Sequence, residues 1–247
     1  MLDHIQRDDV GLTNGSIMKR FYKTVTTEAA AGGHAIRLDG RAVKTPERAE
    51  LVLPTTALAR AVQAEWAAQV EEIDPRTMPL TGLANAAIDR MAADRAGFAA
   101  RLAAYAETDL LCYRADSPAA LVGSQAESWD PLLDWAGERY GVDFEIVEGI
   151  IHRAQPADTV ARLTAAIAAY GPFELAALQP LVTISGSLLI ALALAEGEID
   201  VESAFTVAHL DELWQAEHWG EDELAKQARD DRRRTFKAAA RFLALLV

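Results

Sequence analysis

At 247 residues the chain is long enough for one large domain or two small ones, each able to bury a core. Hydrophobic residues make up 51% and charged residues 25%, a globular composition that excludes wholesale disorder. The 37 Asp and Glu against 24 Lys and Arg give a formal charge of −13, a field that repels phosphate backbones and anionic lipid. Nucleic acid and membrane insertion are therefore set aside, and a basic or apolar protein surface is the better partner.

Residues 1–18 mix Asp3, Arg7, Asp8 and Asp9 without an apolar run and read as a flexible tail, neither a secretory signal nor an Arg-rich presequence. The expected compartment is the cytoplasm, where the sequon Asn14-Gly15-Ser16 carries no meaning. Phe21 to Thr26 is a short β-prone run. Asp39-Gly40 between Ala35–Leu38 and Ala42–Thr45 is a hairpin signal, because both turn residues tolerate positive φ. Glu50 to Leu53 adds a further strand, stopped by Pro54.

After Pro54 the period becomes helical. Thr55 or Thr56 caps a helix over about 55–72, with Leu58, Val62, Trp66 and Val70 on one stripe. Pro75 and Pro79 interrupt it. Further helices are expected over Asp94–Thr108, after Ser117-Pro118, again after Asp130-Pro131, and over Thr159–Tyr170, Phe173–Ala195, Val201–Trp219 and Asp222–Leu246. Phe144 to Val147 reads as one short strand. The predicted class is α+β: a small antiparallel β-rich N-terminal domain over 19–80, then a larger all-helical domain over 81–247. A monomer is expected.

The motifs of phosphate, dinucleotide and serine-nucleophile chemistry are missing, and Ser185-Gly186-Ser187 lacks the outer glycines of a nucleophile elbow. The histidines are His4, His34, His152, His209 and His218, none at i+3 or i+4 from another, and no cysteine pair exists, so neither metal nor cofactor is expected. The single cysteine, Cys112, lies in an apolar run, fits plain packing, and points to a reducing compartment. Converging carboxylates remain open as a basis for hydrolase or transferase chemistry, since spacing alone rarely reveals them.

Val201–Trp219 breaks its own pattern. Projected as one helix, its Val, Phe and Trp residues fill a broad arc that includes Asp211, with Glu212 close by. A carboxylate there needs an internal partner, such as Arg101, Arg162 or one of Arg232, Arg233 and Arg234, or else marks an exposed docking point ringed by aromatic surface. Glu221, Asp222 and Glu223 read as helix-start acids after Gly220. Trp66 reads as core.

Several strings then fall in a telling order: Arg20-Phe21-Tyr22-Lys23, Leu38 to Pro46, Glu65-Trp66-Ala67-Ala68-Gln69, Met78-Pro79-Leu80-Thr81, Thr108 to Arg114, Trp129-Asp130-Pro131-Leu132, and Asp211-Glu212 with Gln215 and Trp219-Gly220. Together they resemble the F1-ATP synthase assembly chaperone family that binds the α subunit, from about Lys19 to the C-terminus. The resemblance implies an ATP-independent, non-catalytic protein that holds the F1-ATPase α subunit and shields its subunit interface. It implies a partner-binding role for Asp211, Glu212, Gln215 and Trp219, and a structural or partner-binding one for Trp66. An acidic adaptor with another client is the remaining alternative.

Overall fold

The structure, a computed structural model, describes residues 18–149 and 151–247. The sequon and all of the expected tail except Met18 lie outside these residues. Asp39 and Gly40 take φ of 49° and 81°, and the hairpin they close joins β3 (Gly33–Leu38) to β4 (Arg41–Ala42). The earlier strand, β2 (Val25–Ala30), begins later than the β-prone run predicts and pairs antiparallel with β3 along its full length. Tyr22 leaves that run to enter the core, while Phe21 faces solvent. β5 (Val52–Leu53) also pairs with β3, where a Cβ on Gly33 would lie 2.0 Å from the Leu53 carbonyl oxygen. Only glycine permits that approach.

Two compact units emerge, one from residues 18–95, 172–176 and 241–247, the other from residues 96–171 and 177–240. In the first, β1 (Met18–Lys19) pairs with β6 (Glu72–Ile73), and α1 (Thr56–Ala67) packs on β2 and β3. Thr55 caps α1 by accepting the Leu58 amide at 3.1 Å, and its hydroxyl donates to the Leu245 carbonyl. Leu58, Val62 and Trp66 are buried, but α1 ends before Val70, which is 78% exposed. Phe173 stacks on Phe242 in the same unit.

Glu65 explains why a helix starts at Pro79. Its carboxylate accepts the amides of Leu80 and Thr81, both at 2.8 Å, and the Thr81 hydroxyl at 2.7 Å. It thus serves the N-terminus of α2 (Pro79–Ala86) in place of a local cap; Met78 makes no side-chain cap bond. A π-helical turn, Ala87–Met91, follows, and Asp89 within it accepts the Thr45 hydroxyl.

The second unit is mainly helical. The expected 94–108 helix becomes α3 (Arg95–Ala103) with a 3₁₀ turn after it. Pro131 starts no helix. Instead α4 runs unbroken from Ala119 to Tyr140, because Leu121, Gln125, Trp129, Leu132, Leu133 and Ala136 form one buried stripe across it. Burial of that stripe outweighs the hydrogen bond a mid-helix proline removes, about 3 kcal/mol. The strand expected over Phe144–Val147 is displaced: of those residues only Val147 joins a strand, β8 (Val147–Glu148), which pairs in parallel with β7 (Tyr113–Arg114). After α5 (Ala157–Ala168), the predicted 173–195 helix divides into α6 (Pro172–Ser185) and α7 (Leu188–Glu196). Gly186, at φ 67°, reverses the chain, and Ser187 recaps it through the Ile190 amide. Leu188 to Ala193 are wholly buried. No described helix is long and apolar enough to cross a membrane.

Asp109, fully buried, ties this unit together by accepting the Leu111 amide at 3.1 Å and the Leu189 amide at 3.0 Å. Burial pushes its carboxyl up to about 6, against the pull of those hydrogen bonds.

Replacing Glu65 by Ala leaves the Leu80 and Thr81 amides without their acceptor. The expected cost is about 2 kcal/mol in urea unfolding, with faster amide exchange at both residues, and a smaller loss for Glu65→Gln, which keeps an acceptor.

Candidate functional site

Val201–Trp219 is not one helix. It forms α8 (Val201–Ala208) and α9 (Leu210–Trp219), separated at His209. The cause lies on α4. Trp129 donates its indole N–H, at 3.1 Å, to the Val207 carbonyl that an unbroken helix would give to the Asp211 amide. His209, at φ −112°, turns its ring onto Phe205, 3.9 Å between centroids, and its Nδ1–H donates to the Phe205 carbonyl. The projection of 201–219 as one continuous helix therefore does not hold beyond residue 208.

The two acids singled out by sequence part company. Glu212 is an internal ion-pair partner, bonded to Arg229 at 3.2 Å and Arg232 at 2.5 Å on α10 (Glu223–Ala244). Asp211 has no such cation among the described residues. Its Oδ1 accepts the Gln125 amide N–H at 2.7 Å, and the buried Gln125 accepts the Ala115 amide through its own oxygen. Arg162, one of the predicted partners, bonds Asp158 instead.

Asp211 and Glu212 line an open cleft of about 320 Å³. Its apolar wall is Leu110, Trp129, Ile184 and Ala208; its polar wall adds His209 and Arg232. Arg232 keeps its Nε buried without a partner. Burial holds His209 below its ordinary pKa, with Arg232 and Arg229 acting in the same direction and the Phe205 bond opposing.

The α9–α10 turn carries the exposed apolar surface. Trp219 is 74% exposed and Leu224 75%. Trp214 stacks on His218 at 3.9 Å and meets Trp219 edge-on at 5.6 Å. Glu217, Glu221, Asp222 and Glu223 are exposed around them, as is Gln215. Of the helix-start acids, Asp222 caps α10 through the Ala225 amide, while Glu221 pairs with Arg229 and Lys226. The other arginines of the α10 run are likewise engaged: Arg233 lies 3.9 Å from Glu202, and Arg234 pairs with Asp231.

Sequence reasoning missed Gln125 and Leu224, and it placed Trp214 only on the apolar arc of a single 201–219 helix. Leu224 had a signal, an apolar residue directly after three acids; Gln125 had none, since its partner is 86 positions away. Trp66 is wholly buried, with Tyr22 donating to its carbonyl at 2.6 Å, and has no surface to offer a partner. Burial pushes the Cys112 thiol up to about 12, far from thiolate chemistry. Among the described residues no group of His, Cys, Asp and Glu is placed to hold a metal.

His209 gives this region a pH signature. Its folded pKa is depressed, so as pH falls below about 6.5 the unfolded chain takes the proton first. The stability from burying neutral His209 is present above that pH and is lost as pH falls through the folded value. The stability difference between wild type and His209→Gln is expected to be larger at about pH 7.5 than at about pH 5, by urea unfolding at each.

Residues 19–137 match the family described as ATP12 chaperone protein. The mitochondrial protein atp12 of Schizosaccharomyces pombe is 25% identical over 214 residues, an alignment covering 82% of this chain and 74% of that one. The crystal structure of Atp12 from Paracoccus denitrificans has 43% identity and a TM-score of 0.90, covering 93% of this chain and 98% of the other. A candidate chaperone of Agrobacterium tumefaciens has 44% identity and a TM-score of 0.90, covering 94% and 87%. The chain belongs to the ATP12 chaperone protein family, and with that family it is an assembly chaperone, not an enzyme.

Proposed function

We propose that this ATP12-family chain acts in ATP synthase assembly by binding the α subunit of F1-ATPase, without ATP, and covering its subunit interface until the complex forms. The observation that carries the reading is the exposure of Trp219 and Leu224 at the α9–α10 turn, in a segment that also exposes Glu217, Glu221, Asp222 and Glu223. A large exposed indole beside a second one is the usual anchor of a protein interface. Those acids, with a chain charge of −13, favour a basic partner surface and repel nucleic acid. Cytoplasmic, monomeric operation belongs to the same proposal. Asp211 and Gln215 extend the docking surface from that turn along α9, and Glu212 contributes by fixing α9 to α10 through its two arginines.

An acidic adaptor for a different client would present the same surface and differ in what it holds. The test is co-purification with free F1 α subunit. Wild type is expected to hold α in equal amounts. Trp219→Ala with Leu224→Ala, which removes exposed side chains and leaves circular dichroism unchanged, is expected to weaken capture by about thirtyfold, or 2 kcal/mol. Wild type that never retains α would overturn the client assignment. A Glu212→Lys change is a poor probe, because it sets a third cation against Arg229 and Arg232.

A further inference from the structure

The cleft at the α8–α9 break holds one carboxylate, Asp211, that has no ion-pair partner among the described residues. Glu212 pairs with Arg229 and Arg232, and Glu221 with Arg229 and Lys226. His209 is buried, stacked on Phe205 and bonded to a carbonyl, so it brings no cation. Among the described residues Asp211 has a neutral donor, Gln125, on one oxygen, and no bond is made there to the other. Gln125 is itself fixed by the Ala115 amide, so Asp211 is held in place rather than free to swing into water. Beside that carboxylate stand the apolar Leu110, Trp129 and Ile184.

We propose that this cleft is a receptor for one basic side chain of the client polypeptide, best an arginine, with the guanidinium on Asp211 and the methylene stem along the half-buried Leu110 and Ile184. The chemistry of the lining selects this occupant. A lysine or arginine is the side chain that joins a long apolar stem to a cationic head, and a planar guanidinium can meet one carboxylate through two N–H groups. An acidic side chain would have to approach Asp211 and Glu212 while Arg232 is already bonded. A purely apolar one would bury the Asp211 carboxylate without a counter-charge. The inference rests on the docking reading of α9 and adds to it the kind of residue that reading requires on the client: an exposed arginine next to the apolar area that covers Trp219.

The full chain can be tested without any F1 subunit. Nα-acetyl-arginine methylamide is titrated while the assigned indole N–H of Trp129 is followed in nitrogen–proton correlation spectra, with the citrulline and glutamate analogues as matched probes. The expected result is a saturable shift with arginine, at least about tenfold tighter than with citrulline and absent with glutamate. Asp211→Asn keeps the shape and an acceptor for Gln125, and it is expected to weaken arginine binding by about tenfold or more with the remaining spectrum unchanged. No saturable shift, equal binding of citrulline, preference for glutamate, or an Asp211→Asn variant that binds as wild type would each overturn the proposal. Arginine binding without capture of F1 α would instead overturn only the client named above.

Discussion

Asp109 and Glu65 are carboxylates taken into the protein interior to serve backbone amides. Asp109 accepts from Leu111 beside it and from Leu189, 80 positions later, at the start of the most apolar helix in the chain. Glu65 does the same for Leu80 and Thr81 at the start of α2. Helix N-termini leave amides without intrahelical partners, and a buried one has no water to bond. α7 is wholly buried over its first turns, so its start has to be supplied from elsewhere in the fold. The macrodipole makes an anion the right supplier. Burial opposes ionisation, as the raised Asp109 pKa shows, so the arrangement holds only while both amides stay aligned.

This constraint accounts for most of the strings that gave the chain its family likeness. Glu65-Trp66-Ala67-Ala68-Gln69 supplies a helix cap, a core indole and, through Gln69, bonds to Thr77 and Asp74. Leu38-Asp39-Gly40 makes the hairpin turn, with Asp39 accepting both amides of Lys23 and Thr24. Trp129-Asp130 places one residue on Val207 and the other on Arg114. All of these are scaffold. The motif at the end of α9 is different, because Trp219 meets Trp214 edge-on and is largely exposed.

A chaperone that holds a subunit and then yields it needs a surface attractive enough to compete with self-association, yet displaceable. On the docking reading proposed above, Trp214, Trp219 and Leu224 would supply the attraction, and the acidic residues around them would favour a basic partner surface. The Trp129–Val207 bond ties α4 to the end of α8, beside the cleft that Asp211 lines.

The sequence by itself determined what local chemistry can settle: the order of strands and helices, the Asp39-Gly40 turn, the capping at Thr55 and Asp222, the buried stripe through Trp66, and, through ordered motifs, the family. It misjudged Pro131, because a proline signals a helix start unless a long buried stripe runs across it. It misjudged 201–219 because periodicity assumes continuity, and the group that breaks the helix lies 78 residues away on α4. Asp211 and Glu212 are adjacent and chemically alike, so no pattern could separate them. Only the tertiary structure decided that Glu212 meets two arginines and Asp211 a glutamine, because ion pairing depends on which helix lies opposite, and that is fixed by packing.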